Sequence, residues 1–166
     1  MRYIRMLLPV AAILALHALG VNLSASVFTL SLVSSAILLE AHGDFESVAS
    51  SLADSGKQAK APAQMVGKSG VKHEFSLAVF SSPGSPEVVV DAELSVKDVD
   101  EMKVLKFYVK VFDVSPKKSI LCVCPRLTER ARSLAKEYGI TVLESDVPRK
   151  LVQMAANEIS GTSGEG

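Results

Sequence analysis

Apolar and polar positions change their rhythm along the chain, and each rhythm predicts an element. Residues 6–39 form one apolar run. Beyond it the apolar positions become periodic. Leu38, Leu39, Phe45, Val48, Ala49 and Leu52 recur at partly helical steps and stop before Gly56, which predicts a helix over 44–55. "KAPAQMVGKSG" reads as an irregular strand and a Gly-, Lys- and Ser-rich turn. "KHEFSLAVF" alternates, with Phe75, Leu77 and Val79 on one face. "SSPGSP" is its turn and "EVVVDAELS" its partner, so 72–94 predicts a β-hairpin with a six-residue loop.

Further on, Val99, Met102, Leu105, Val109 and Phe112 fall at steps of three and four, predicting a helix that packs along this stripe. Lys103, Lys106 and Lys110 fall on its other faces. "SILCVC" is a short, continuous apolar strand of the kind buried on both sides of a sheet. A helix capped by Thr128 and stopped at Gly139 follows, then the strand "ITVLES". Residues 119–144 thus predict a β-α-β unit with parallel strands and a right-handed crossover. A closing helix has Pro148 near its first turn, and 160–166 reads as a disordered tail. The fold class is α/β, with a mixed central sheet flanked by helices. The expected division is an apolar segment over 1–39, an α/β domain over 40–159 and the tail.

The apolar run itself has 34 residues without a formal charge, and His17 is its only titratable side chain. That exceeds the roughly 20 residues of one membrane helix. It suits a span over 6–21 and a more polar segment over 25–39. Arg2 and Arg5 ahead of it, with Ala18-Leu19-Gly20 as a small-x-small site, equally fit a secretory signal. A retained anchor would keep its basic end on the cytoplasmic side, and the expected location is the cytoplasm or the cytoplasmic face of a membrane. A third reading is hydrophobic helices packed in a cytoplasmic protein.

Lys plus Arg and Asp plus Glu both number 18, so no global charge excess points to nucleic acid or to disorder. Any nucleic-acid surface must be local, and Lys57, Lys60, Lys68 and Lys72 lie within sixteen residues. They make either a phosphate-binding surface or a solvated lysine-rich loop. Cys122 and Cys124 share a strand face at a spacing poor for a mutual disulfide, and read as reduced core residues. "GKSG" at 67–70 lacks the upstream glycine of a phosphate-binding loop, since Pro62 stands there, and a strand follows instead of a helix.

Asp91 and Glu93 carry the most specific chemistry. Residues two apart on a strand share a face, so both carboxylates could reach one divalent cation. Alternatively, they are the solvated end of an ordinary strand.

Several strings together resemble the PD-(D/E)xK, or restriction-endonuclease-like, nuclease superfamily. The likeness is closest to archaeal Holliday-junction-resolvase-like and Mrr-like members. The strings are "LADSG" ending a helix, "GKSGVKHEF", the hairpin "FSLAVF" to "VVVDAELS", "VLKFYVKVFDV" and "LTERARSLAKEYGITVLES". The resemblance spans about 44–145 and implies a restriction-endonuclease-like core, with acids around Mg²⁺ or Mn²⁺. Carried across, the first-helix acid is Glu46, the second-strand acid falls on Ser76, and the acid-x-Lys falls on Asp91-Ala92-Glu93. Ser76 brings no charge, and Glu93 reverses the sign of the family's lysine. Glu74 and Lys97 are the candidate replacements.

The resemblance therefore implies a nuclease scaffold with a degenerate site, serving as a nucleic-acid-associated or protein-interaction module. An active metal-dependent DNA endonuclease using Asp91 and Glu93 with Glu46 or Glu74 is the alternative. A membrane-anchored structural or assembly protein is another. DNA, a membrane engaged through 6–39 and a second copy of the chain are the candidate partners.

Overall fold

A computed structural model describes residues 44–82 and 84–161. The membrane or signal segment expected over 6–39 lies outside them, as do residues 162–166 of the expected tail. Among the described residues no helix is long and apolar enough to cross a membrane.

The chain is a mixed α/β structure. Residues 44–54 form helix α1. It is followed by β1 (Gln58–Lys60), β2 (Ala63–Val66), β3 (Lys72–Phe75), β4 (Leu77–Ser82) and β5 (Ser85–Leu94). Then come α2 (Glu101–Val114), β6 (Lys118–Cys124), α3 (Glu129–Glu137), β7 (Thr141–Glu144) and α4 (Pro148–Gly161). The main sheet has the order β1-β4-β5-β6-β7, and β2 and β3 form a separate two-stranded ribbon. β1, β4 and β5 are antiparallel, whereas β5, β6 and β7 are parallel, joined by α2 and α3. The expected β-α-β unit is present and extends one strand further back, to β5.

Alternation along the strands builds two apolar layers. Leu77, Val79, Val88, Val90, Ile120 and Cys122 pack against Phe45, Ala49 and Leu52 of α1 and against α4. Ala78, Val89, Leu121 and Val123 face the other way, onto Val104 and Phe107 of α2 and Ala131 and Ala135 of α3. β6 contributes to both layers, which is why "SILCVC" is continuously apolar. Thr128 caps α3 as expected, accepting from Ala131 N–H at 3.2 Å. Gly139 beyond its end has φ +67°, the left-handed conformation that glycine adopts without steric cost.

Four expectations are corrected. "KHEFSLAVF" is two strands, because the ladder breaks at Ser76 and the side-chain phase flips there. Phe75 packs beside α2, whereas Leu77 and Val79 pack beside α1 and α4. The hairpin turn is tighter than six residues, since Ser82 already pairs with Ser85.

The third correction concerns α2, which buries Val104 and Phe107 and leaves Met102, Leu105, Val109 and Phe112 exposed. Val104 and Phe107, continued by the half-buried Val111 and Val114, repeat at steps of three and four as the exposed set does, so periodicity alone did not choose between them. The ring of Phe107 meets Phe75 edge-on at 6.4 Å, a contact supplied by the two-stranded ribbon. At its C-terminal end α4 runs on to Gly161, into the stretch expected as tail.

Candidate functional site

Asp91 and Glu93 follow Val89 on β5 and share its face, toward α2. Both meet lysines of that helix. Lys110 Nζ donates to Asp91 Oδ2 at 2.6 Å, and Lys103 Nζ is paired with Glu93. The other Asp91 oxygen, Oδ1, accepts from Ser76 Oγ at 3.2 Å, and that hydroxyl in turn accepts from Ala92 N–H at 3.2 Å. The break at Ser76 is therefore what turns a short polar side chain onto Asp91. Lys110 Nζ also donates to the main-chain carbonyl of Glu74 at 2.8 Å and stands 5.2 Å from the ring centroid of Phe75. One ammonium thus ties α2 to β5, to the ribbon and to an aromatic face.

The other expected acids point elsewhere. The Glu74 carboxylate accepts from Gln64 Nε2 at 3.3 Å, across the ribbon. Glu46 is exposed on α1, in the opposite helical layer, and lines a shallow groove together with Lys60 and Pro62. Lys97 lies beyond the end of β5 at Leu94. Among the described residues no three His, Cys, Asp or Glu side chains gather into a group that could hold a metal ion. Asp91 and Glu93 are therefore two acids, each with an ammonium partner, and neither Glu46 nor Glu74 joins them as a third carboxylate.

The four lysines divide into two pairs. Lys57 lies just before β1 and Lys60 on it, where Lys60 Nζ stands 5.9 Å from the Phe80 ring centroid. Lys68 and Lys72 lie at the tip of the ribbon, where Lys68 Nζ donates to Ser115 Oγ at 2.6 Å.

That tip is fastened to the end of α2 by a contact the sequence did not announce. Asp113 accepts from Ser69 N–H at 2.8 Å and Ser69 Oγ at 2.6 Å, and shares a 2.7 Å hydrogen bond with His73 Nε2. The Ser69 hydroxyl above all, then His73, lowers the Asp113 carboxyl to about 2. Gly67 lies so close that a Cβ there would overlap the Asp113 carboxylate. "GKSG" is thus a turn that cradles a carboxylate of its own chain. It also holds β3, and through it Ser76 and the Glu74 carbonyl, beside Asp91.

Cys122 and Cys124 are free thiols on the α1 and α4 side of the sheet, as expected. Burial, and then the nearby Asp91 charge, pushes the Cys122 thiol up to about 12. Burial likewise raises Cys124, with Asp146 adding to it.

Lys110 and Lys103 are the site residues that sequence reasoning missed. Their signal was present: seven residues apart on a helix they share a face, as the two acids do on their strand.

No protein-family profile matches the chain, and no curated protein matches it. Similarity is found among solved structures. One is the crystal structure of a protein of unknown function, AF1548, with a TM-score of 0.52 and 17% identity over 73% of this chain and 67% of that one. Another is the protein VC1899 from Vibrio cholerae, with a TM-score of 0.49 and 13% identity over 74% of this chain. This chain covers 33% of VC1899. The likeness to AF1548 is one of fold.

Proposed function

We propose that this chain is a nuclease-like α/β domain of the PD-(D/E)xK type that associates with nucleic acid and does not cut it. The dispersal of the expected acids supports this reading most directly: the Glu74 carboxylate meets Gln64 across the ribbon and Glu46 lies on α1 in the other helical layer. The metal centre that the resemblance implies gathers several acids, whereas here Asp91 and Glu93 have lysine partners and no third carboxylate beside them. The four charges cancel, so these ion pairs add no net negative charge against a phosphate backbone. Lys57 and Lys60 at β1 and Lys68 and Lys72 at the ribbon tip supply the attraction, and cationic patches of this kind bind by releasing counterions.

The expected behaviour is binding of duplex or branched DNA that weakens steeply as salt rises, with no cleavage in Mg²⁺ or Mn²⁺. Each phosphate-contacting lysine replaced by alanine reduces the logarithmic salt slope by about one. Absence of binding at low salt refutes the nucleic-acid reading.

One observation favours a second reading. Lys110 stands beside Asp91 in space, although Glu93 occupies the position of the family's lysine in sequence. If that lysine serves the same end, the domain is a metal-dependent endonuclease. Divalent-metal-dependent cleavage, lost in Asp91→Ala and in Lys110→Ala, selects that reading over the first.

A further inference from the structure

Met102, Leu105, Val109 and Phe112 are 54%, 37%, 55% and 69% exposed, all on α2. At 100° per residue they fall within roughly 80° of arc, nearly opposite the buried Val104 and Phe107. The helix therefore presents a second apolar stripe straight out from the domain. Scattered apolar residues on a surface are ordinary, whereas four large ones in one stripe mark an interaction surface.

The placement of the four identifies the occupant. Met102 and Phe112 each lie five residues from Phe107, and Leu105 and Val109 each lie two. A stripe symmetric about its midpoint matches itself when a second copy is laid on it antiparallel. Met102 then meets Phe112 of the other copy, and Leu105 meets Val109. This is the self-complementary pattern that a two-fold interface requires. We propose that α2 is the centre of a homodimer interface, paired antiparallel with α2 of a second copy.

The area is consistent with a modest dimer. Four large side chains about half exposed offer about 400 Å² of apolar surface per copy, on the scale of functional patches. A specific interface buries about 800 Å² per partner, so the stripe supplies about half and side chains flanking the helix must supply the rest. The association is expected to depend on protein concentration. It does not rest on the nucleic-acid reading, since none of its four positions is among Lys57, Lys60, Lys68 and Lys72, of which Lys68 meets Ser115 just beyond α2.

Sedimentation velocity of the full-length protein across a concentration series tests the pairing. A monomer–dimer equilibrium is expected, with Val109→Glu and Phe112→Glu each shifting it at least tenfold toward monomer. Both positions are solvent-facing, and circular dichroism checks that the variants fold. Cross-linking tests the register. Residues 102 and 112 are about 15 Å apart along one helix, too far for a disulfide within a chain. Oxidation of the double variant Met102→Cys, Phe112→Cys is therefore expected to give a covalent dimer, and Met102→Cys alone to give none. A strictly monomeric wild type overturns the proposal. So does a dimer unaffected by the two glutamates, which lies elsewhere on the chain. Co-sedimentation with phosphatidylcholine–phosphatidylserine vesicles, lost in Val109→Glu without any dimer, would assign the stripe to a membrane surface instead.

Discussion

Lys110 of α2 donates to Asp91 of β5 at 2.6 Å, and the same ammonium reaches the Glu74 carbonyl at 2.8 Å. Their side chains are 31% and 21% exposed, so the pair is neither fully solvated nor dry. Removing one partner leaves the other part-buried and short of a hydrogen bond. Lys110→Met is expected to destabilise the fold by about 1–2 kcal/mol, more than a surface pair is worth and less than a buried one. In a double-mutant cycle with Asp91→Asn, urea unfolding should show a coupling energy of about 1 kcal/mol. Additive single effects would show that the two side chains do not depend on each other.

Gly67 and Asp113 make a steric prediction. Gly67→Ala places a Cβ against a carboxylate that Ser69 and His73 already hold. The clash is with a short, anchored side chain, so relief requires the ribbon tip to shift. A loss of about 1–3 kcal/mol is expected, in the range of overpacking. Asp113→Ser in the Gly67→Ala background should recover part of it, since the smaller side chain leaves room. If Gly67→Ala unfolds in urea like the wild type, the cradle is looser than described.

The same carboxylate gives a pH dependence. Asp113 titrates at about 2 in the folded chain against an ordinary value of 3.8. A folded value below the unfolded one means that the carboxylate form stabilises the fold at pH above about 4. That contribution is lost as pH falls toward 2. The wild type should therefore exceed Asp113→Asn in stability at pH 6, with the difference shrinking between pH 4 and 2. Urea midpoints at a series of pH values read this directly. A constant difference would mean that the charge plays no part.

Much of the framework was legible because local chemistry carried it. Thr128 and Gly139 bound one helix, and the uninterrupted "SILCVC" marked the strand that contributes to both layers. Where the reading failed, the deciding contact was long-range. Nothing near Met102 or Leu105 says that Phe75, some thirty residues earlier, will choose the Val104–Phe107 side of the helix. Ser76 likewise looked like one polar position in an alternating strand, while the structure uses it to end one sheet and begin another. At the site, Asp91 and Glu93 were readable from spacing, but their partners were not. The lysines belong to the following helix, and the packing that brings them over β5 depends on which apolar stripe that helix buries.

The two cysteines should be chemically silent in the folded protein. Cys122 is buried and its thiol lies at about 12, so the thiolate is scarce at neutral pH. Iodoacetamide at pH 7.5 should leave both unmodified under native conditions and modify both in urea, as read by intact mass. Rapid native labelling of either would show that the sheet opens on the α1 and α4 side.

The two faces of α2 should respond to truncation in opposite ways. Phe107 is 3% exposed and packs edge-on against Phe75, so Phe107→Ala leaves a cavity between the helix, the ribbon and the sheet. The expected loss is about 3–5 kcal/mol. Val109, at 55% exposure, has little packing to lose within its own copy, and Val109→Ala should cost less than about 0.5 kcal/mol in dilute solution. Raising the protein concentration should widen the second difference and leave the first unchanged, because a partner covering Val109 stabilises only the folded, associated chain. A Val109→Ala cost that is large and independent of concentration would instead place that side chain inside the domain.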